Sequence, residues 1–263
     1  MDTHPLRLGG GGALEGRLYL PELPRDGVIV FLHGGGWSIG SVETHDRVCR
    51  RLAARTGAPV VSVEYRRAPE HPYPAAVEDA TTALGAVRDA VRAYGVEPRA
   101  TVMAGDSAGG TLAALVALDA RGTGDAPDVL ALAYASTDLS AADGSMVGNG
   151  SGFGLEAAAL HWFASLWVPD GARRASPEVS PLLVDDLSGM PTTIVVTCEL
   201  DPLRDQGERF AERLVAADVP VVARCEQGMV HNFLLWDLIS PACAAAGDRF
   251  ADDVRRAIDA VLA

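Results

Sequence analysis

The run Thr101-Val102-Met103-Ala104-Gly105-Asp106-Ser107-Ala108-Gly109-Gly110-Thr111-Leu112-Ala113-Ala114-Leu115-Val116-Ala117-Leu118 carries an apolar strand into a helix through a turn that admits only small neighbours. Residues 101–104 read as a buried strand, and 111–118 as a helix. The glycines around Ser107 permit a tight turn that lifts the serine oxygen clear of the sheet edge. They also put the Ala108 amide at the start of a helix, where it can meet a developing negative charge. The chain contains a second Gly-x-Ser-x-Gly match, Gly36-Trp37-Ser38-Ile39-Gly40. Ser38 lacks the context: the strand before it ends near Leu32, and Gly40-Ser41-Val42-Glu43 reads as loop. Ser107 is the candidate nucleophile.

Outward from this turn, strands and helices alternate. Val28-Ile29-Val30-Phe31-Leu32 is a continuous apolar run of the kind buried on both faces. A helix is expected over 44–56, a strand over 59–65, and a long helix from Pro74 to Gly95. Beyond the turn, the helix ends before Gly122, and strands follow at 129–134, 193–197 and 219–225. A helix over 205–217 joins the last two, and Ser240-Pro241 opens a final helix reaching Leu262. This order predicts a mostly parallel central sheet with helices on both faces. Residues 6–20 read as two strands joined by a turn at 9–12.

One stretch breaks the rhythm. From about 139 to 187 no strand is expected. A Gly-, Ser- and Asp-rich segment over 141–154 leads into a helical one over 155–167 that holds Trp162 and Trp167. At the C-terminal edge of such a sheet, where ligands bind, a strandless insertion reads as a cap. The expectation is one domain over 1–263 with a cap insertion at about 141–187.

Composition narrows the function. At net charge −13, the chain is a poor partner for nucleic acid or an anionic membrane. All 22 basic residues are arginine. Cys49, Cys198, Cys225 and Cys243 are too far apart for a metal or redox motif, so no metal and no cofactor is expected. No signal-like segment opens the sequence and no apolar run is long enough for stable membrane insertion, which points to a cytoplasmic location. The partner implied is a small molecule, with a homodimer compatible with the sequence.

A serine nucleophile needs a base, an acid that orients the base, and donors for an oxyanion. His33-Gly34-Gly35-Gly36-Trp37 follows a strand, and its glycines let backbone amides point inward. Of six histidines, His231 in Gly228-Met229-Val230-His231-Asn232-Phe233 follows the last strand. That position fits the chain order serine, acid, histidine. His33 is expected to brace the glycine loop. For the acid, Asp201 and Asp205 flank one strand end, with Glu199 and Asp185 as weaker rivals; Asp205 is also a candidate helix N-cap. Trp37, Asp106, Phe153, Trp162, Phe163 and Phe233 are candidate pocket residues.

With these parts assembled, the chain resembles the hormone-sensitive lipase family of α/β-hydrolase esterases. The resemblance rests on His33-Gly34-Gly35-Gly36-Trp37, Tyr65-Arg66-Arg67-Ala68-Pro69-Glu70-His71-Pro72-Tyr73-Pro74-Ala75-Ala76, Gly105-Asp106-Ser107-Ala108-Gly109-Gly110, Asp201-Pro202-Leu203-Arg204-Asp205 and Gly228-Met229-Val230-His231. It implies an α/β-hydrolase fold and a serine carboxylic ester hydrolase acting on small to medium esters through an acyl-enzyme. It selects Asp201 as the acid. It assigns the oxyanion hole to the amides of Gly35, Gly36 and Ala108, with Gly34 as a further candidate. Members of the family carry a longer N-terminal segment that contributes to the cap. Here about thirty residues precede the glycine loop, so the cap is expected to be reduced and the pocket open to bulkier acyl or alcohol groups. An acyltransferase or lyase-type enzyme on the same scaffold is the alternative reading, and a non-catalytic small-molecule receptor is a remote one.

Overall fold

The computed structural model describes residues 1–9, 11 and 13–263. Of the turn expected at 9–12, Gly10 and Gly12 lie outside the described residues. The strands are β1 (Asp2–Leu8), β2 (Leu14–Leu20), β3 (Gly27–Leu32), β4 (Val60–Val63), β5 (Ala100–Asp106), β6 (Val129–Ala133), β7 (Thr192–Leu200) and β8 (Val221–Val230). They form one sheet in the order β1-β2-β4-β3-β5-β6-β7-β8. β3 to β8 run parallel, and β2 is antiparallel to both of its neighbours.

The main helices are α1 (Asp46–Thr56), α2 (Ala75–Arg92), α3 (Ala108–Asp119), α4 (Ser145–Gly148), α5 (Ala157–Trp167), α6 (Arg204–Ala216) and α7 (Pro241–Leu262). They cover both faces of the sheet, and side-chain alternation along β3 sorts the core into two layers. Val28, Val30 and Leu32 pack with α2, α3 and α6 through Val87, Leu112 and Phe210. Ile29 and Phe31 pack with α1 and α7 through Leu52, Phe250 and Val254.

β3 and β5 are buried along their whole length, which is why they read as unbroken apolar runs. α3 lacks an amphipathic stripe because nearly every residue of it is buried. β8 alternates less clearly because it is an edge strand with an exposed side. α7 starts as expected: the Ser240 side chain accepts the Cys243 amide and Pro241 takes the first helical position.

The 139–187 stretch contains α4, α5 and two short 3-10 turns, and no strand. It is tied down at several points. The Asp205 carboxylate accepts the Ser145 amide at 2.8 Å, and the Ser145 hydroxyl donates to the Pro202 carbonyl. Tyr73 N–H donates to the Trp167 carbonyl at 2.8 Å. Asp205 is therefore not the helix N-cap considered above. Leu203 occupies that position, and Asp205 sits inside the first turn, where its carboxylate faces the inserted segment.

Candidate active site

Parallel strands deliver their C-terminal ends to one edge, and the candidate residues gather there. β5 runs into α3 through Ser107, whose φ of 51° and ψ of −121° are rare for a residue with a side chain. Such a conformation costs about 1–3 kcal/mol and persists only where the surroundings impose it. The glycines make it feasible. A Cβ on Gly105 would strike the Gly109 backbone, and one on Gly109 would strike the Leu32 carbonyl. The turn is pinned by Ser107 N–H donating to the Ala133 carbonyl at 2.9 Å.

Asp201 lies just past β7 and His231 just past β8. His231 Nε2 is 2.9 Å from Ser107 Oγ, and His231 Nδ1 is 2.8 Å from Asp201 Oδ2. All three side chains are buried. Asp201 Oδ1 accepts the Leu203 amide at 2.8 Å, which fixes the carboxylate, and Asn149 Nδ2 donates to the Glu199 carbonyl beside it. Neither rival acid reaches the histidine: Glu199 accepts the Gly228 amide at 2.7 Å, and Asp185 is exposed. Tyr134 meets the His231 ring edge-on at 4.8 Å.

The glycine loop lies across the elbow. Gly35 and Gly36 have φ of 125° and 57°. Side chains are excluded there: a Cβ on Gly35 would hit the Ile39 carbonyl, and one on Gly36 would enter the Phe163 ring. Among the described residues, the Gly35 and Gly36 amides have no acceptor. Ala108 opens α3, so its N–H belongs to the unpaired first turn. Gly34 differs. Its N–H donates to Asp106 Oδ1 at 2.8 Å and is committed beneath the loop, so the suggestion of Gly34 as a further oxyanion donor is corrected.

Asp106 is corrected as well. It was expected in the pocket, yet it is buried under the glycine loop, with His45 Nε2 3.2 Å away. Its position explains this, because successive side chains of a strand alternate and the neighbour of Ser107 must point elsewhere. His45 sits just before α1, 61 positions from its partner, and the sequence offers no local signal for the pair. Burial opposes charge on both groups, but their mutual attraction and hydrogen bond outweigh it. The His45 pKa is raised and that of Asp106 lowered, so each group favours the charged form of the other. His33 does brace the loop: its Nδ1 is 2.9 Å from the Gly34 carbonyl and its ring stacks on Tyr65. Burial pushes its pKa down from 6.5 to about 4, so it is neutral at pH 7. Tyr65, from the second family motif, donates its hydroxyl to the His33 carbonyl at 2.7 Å.

The aromatic candidates divide. Phe163 is half-buried against Gly36, at the mouth of the site. Trp37 is buried and stacks on Trp167 with ring centroids 4.4 Å apart. It also borders a partly open cavity of about 20 Å³, room for about one water molecule, whose lining includes Leu139, Met146 and Leu203 together with Asp138, His161 and Gln206. Phe153 is half-buried in the loop before α5. Two expectations fail as pocket walls. Phe233 is fully buried against Tyr134 in the α1–α7 layer, and Trp162 is 56% exposed on the outer side of α5. Composition marks such residues as apolar but does not say which neighbour covers them. Gln206 was missed altogether: its Oε1 accepts the amides of Thr137 and Asp138 and holds the loop after β6.

Among the described residues, no cluster of His, Cys, Asp and Glu has the arrangement of a metal site, and no helix is long and apolar enough to cross a membrane.

A family profile described as alpha/beta hydrolase fold matches residues 29–235. Carboxylesterase NlhH of Mycobacterium tuberculosis is 40% identical over 253 residues, covering 93% of this chain and 78% of its own. Ethyl acetate hydrolase of Pseudomonas putida is 36% identical over 232 residues, covering 85% and 72%. Among solved structures, EstE1, a thermostable carboxylesterase cloned from a metagenomic library, superposes with a TM-score of 0.92 at 36% identity, covering 98% of this chain and 89% of that one. An esterase of Pyrobaculum calidifontis gives 0.91 at 38%, covering 97% and 85%. With the serine elbow, glycine loop and parallel sheet already in view, these likenesses lead to one conclusion: the chain belongs to the hormone-sensitive-lipase-like carboxylesterases of the α/β-hydrolase fold, a family of serine ester hydrolases.

Proposed function

We propose that Ser107, His231 and Asp201 form the catalytic triad of this ester hydrolase, with the amides of Gly35, Gly36 and Ala108 as its oxyanion hole. The observation that carries the reading is the continuous relay from Asp201 through His231 to Ser107, at 2.8 and 2.9 Å. His231 Nε2 takes the hydroxyl proton as Ser107 Oγ bonds to the ester carbonyl carbon. The carbonyl oxygen becomes an oxyanion facing the three amides. Asp201 holds the imidazole in the tautomer with its proton on Nδ1 and stabilises the cation. As the tetrahedral intermediate collapses, the C–O bond breaks and His231 returns its proton to the leaving alcohol. Water then attacks the acyl-enzyme with His231 again as base, releasing the acid and restoring Ser107.

The 141–187 segment acts as a small cap on a single catalytic domain, supported by its position over the glycine loop through Phe163. Small to medium esters are the substrates of this reading, supported by the likeness to an ethyl acetate hydrolase. A homodimer is part of the same reading. Its support is the edge strand β8, which has a neighbour on one side only and exposes Val222. Light scattering at micromolar protein should give twice the monomer mass; the monomer mass alone would remove this element. The four free thiols support a cytoplasmic location.

Hydrolysis of p-nitrophenyl acetate tests the triad. Ser107→Ala should lower kcat by about 10⁴-fold or more with an unchanged circular dichroism spectrum. Activity retained within about tenfold would remove Ser107 from the mechanism, since such a loss falls far below that for a nucleophile.

A further inference from the structure

Along α1 the arginines recur at every fourth residue, Arg47, Arg51 and Arg55, and so share one face of the helix. That face meets three aspartates. Arg55 pairs with Asp252 at 2.6 Å and with Asp248 at 3.4 Å, both on α7. Arg47 and Arg51 instead meet at Asp237, in the segment 231–240 that joins β8 to α7 and begins with His231. Arg47 Nε and Nη2 donate to the two carboxylate oxygens of Asp237 at 3.1 and 2.8 Å, and Arg51 Nη2 adds a third hydrogen bond at 2.8 Å. The Asp237 side chain is only 4% exposed. The hydrogen bond from Arg47, with its charge and that of Arg51, holds the carboxyl below the usual range despite burial.

A planar guanidinium that grips both oxygens of a carboxylate fixes direction as well as distance. The segment has a second anchor in Phe233, buried against Tyr134, but apolar contact is non-directional and sets depth rather than rotation. The same helix also holds the nucleophile turn. His45, the residue before α1, lies 3.2 Å from the carboxylate of Asp106, which precedes Ser107. One helix is thus tied to the turn that carries Ser107 and to the segment that carries His231, and those two side chains meet at 2.9 Å.

We propose that Arg47, Arg51 and Asp237 are positioning residues that set His231 against Ser107, with α1 as the common frame. The inference rests on the ester-hydrolase reading of this site. The three act through the backbone from 231 to 237 rather than on the reacting atoms. Releasing the clamp lets that segment drift and lengthens the proton path from Ser107 Oγ to His231 Nε2, while the glycine loop keeps its place. The loss therefore falls on kcat and leaves KM alone.

The test is p-nitrophenyl acetate kinetics, with urea unfolding of the same proteins. Asp237→Ala should lower kcat by about tenfold or more, toward the roughly 10²-fold of an about 1 Å displacement, with KM within about twofold of the wild type. Phosphonate labelling of Ser107 should slow by the same factor, because it needs the same proton transfer. Arg47→Ala, at a mostly exposed position, should fold as the wild type does and lower kcat in the same direction. The double variant Arg47→Ala/Asp237→Ala should be no slower than Asp237→Ala alone, since the two residues act as one unit. Arg55→Ala is the control for a merely structural role, because it breaks the neighbouring pairs between α1 and α7. Its loss should appear in the urea midpoint alone, with kcat within about twofold of the wild type. A fall in kcat of less than about tenfold in Asp237→Ala would overturn the proposal. Multiplying losses in the double variant, or an equal fall in kcat for Arg55→Ala, would overturn it as well. Should Asp237→Ala fail to fold, Arg47→Ala decides: a kcat within about threefold of the wild type overturns the proposal. A wild type that hydrolyses no p-nitrophenyl acetate would instead overturn the underlying function.

Discussion

Replacing Asp106 separates what holds the glycine loop from what performs chemistry. Its carboxylate makes two buried contacts: it accepts the Gly34 amide at 2.8 Å and pairs with His45 at 3.2 Å. Asp106→Ala leaves the Gly34 N–H buried without an acceptor, about 1–3 kcal/mol, and breaks a buried ion pair, which typically costs about 3–5 kcal/mol. The two overlap, because His45 can shed its proton once the carboxylate is gone, so the expected loss is about 3–5 kcal/mol in all. Asp106→Asn keeps an acceptor for Gly34 and can donate to neutral His45, so the expected loss is only about 1–2 kcal/mol.

The two variants should also differ in rate. A loop carrying Gly35 and Gly36 that shifts by about 1 Å loses on the order of 10²-fold in kcat, and only the alanine variant frees the loop to shift. Urea unfolding and p-nitrophenyl acetate kinetics measure both quantities. The pair adds a pH signature. His45 has a raised pKa, so its contribution is complete below 6.5 and fades as pH rises through the folded-state value. Asp106 has a lowered pKa, so its contribution fades as pH falls through that depressed value. Asp106→Asn should remove both slopes. Equal stability losses in the two variants, or losses under about 0.5 kcal/mol, would refute the bracing argument, since that is the range of ordinary surface changes.

His33 predicts acid sensitivity with the opposite origin. The unfolded imidazole binds a proton below 6.5 and the buried one only below about 4, so stability should fall by about 3 kcal/mol between those values. His33→Asn should flatten that slope in urea unfolding followed across pH; an unchanged slope would assign it to other groups. Gly35→Ala, where the Ile39 carbonyl blocks a Cβ and φ is 125°, should lower kcat by about 10²-fold or more. Gly124→Ala, with open space and no positive φ, should leave kcat unchanged and raise stability by about 0.4–1 kcal/mol in the same assays. Equal behaviour of the two glycine variants would show that the loop geometry does not matter.

The sheet was legible because its central strands bury both faces, so β3 and β5 appear as unbroken apolar runs bounded by turn residues. The elbow, the glycine loop and the order of Ser107, Asp201 and His231 could be read because tight turns restrict residue choice locally. What could not be read depends on distance in the chain. His45 meets Asp106 only after β3 and β5 have paired and brought their ends together. Phe233 and Trp162 look alike in composition, but one follows β8 into the α1–α7 layer and the other lies on the outer side of α5. Asp106 itself was misplaced although the signal was present: a residue next to the nucleophile at the end of a strand points away from it.

The central claim is that Ser107 is the nucleophile, activated by His231 and Asp201. Stoichiometric reaction with a p-nitrophenyl phosphonate, followed by peptide mass mapping, tests it most directly. The account predicts one equivalent of p-nitrophenol released per chain, the phosphonyl group on the peptide containing Ser107, and much slower labelling in His231→Ala. Labelling of Ser38 or another residue, or full ester turnover in protein that takes up no phosphonate, would contradict it.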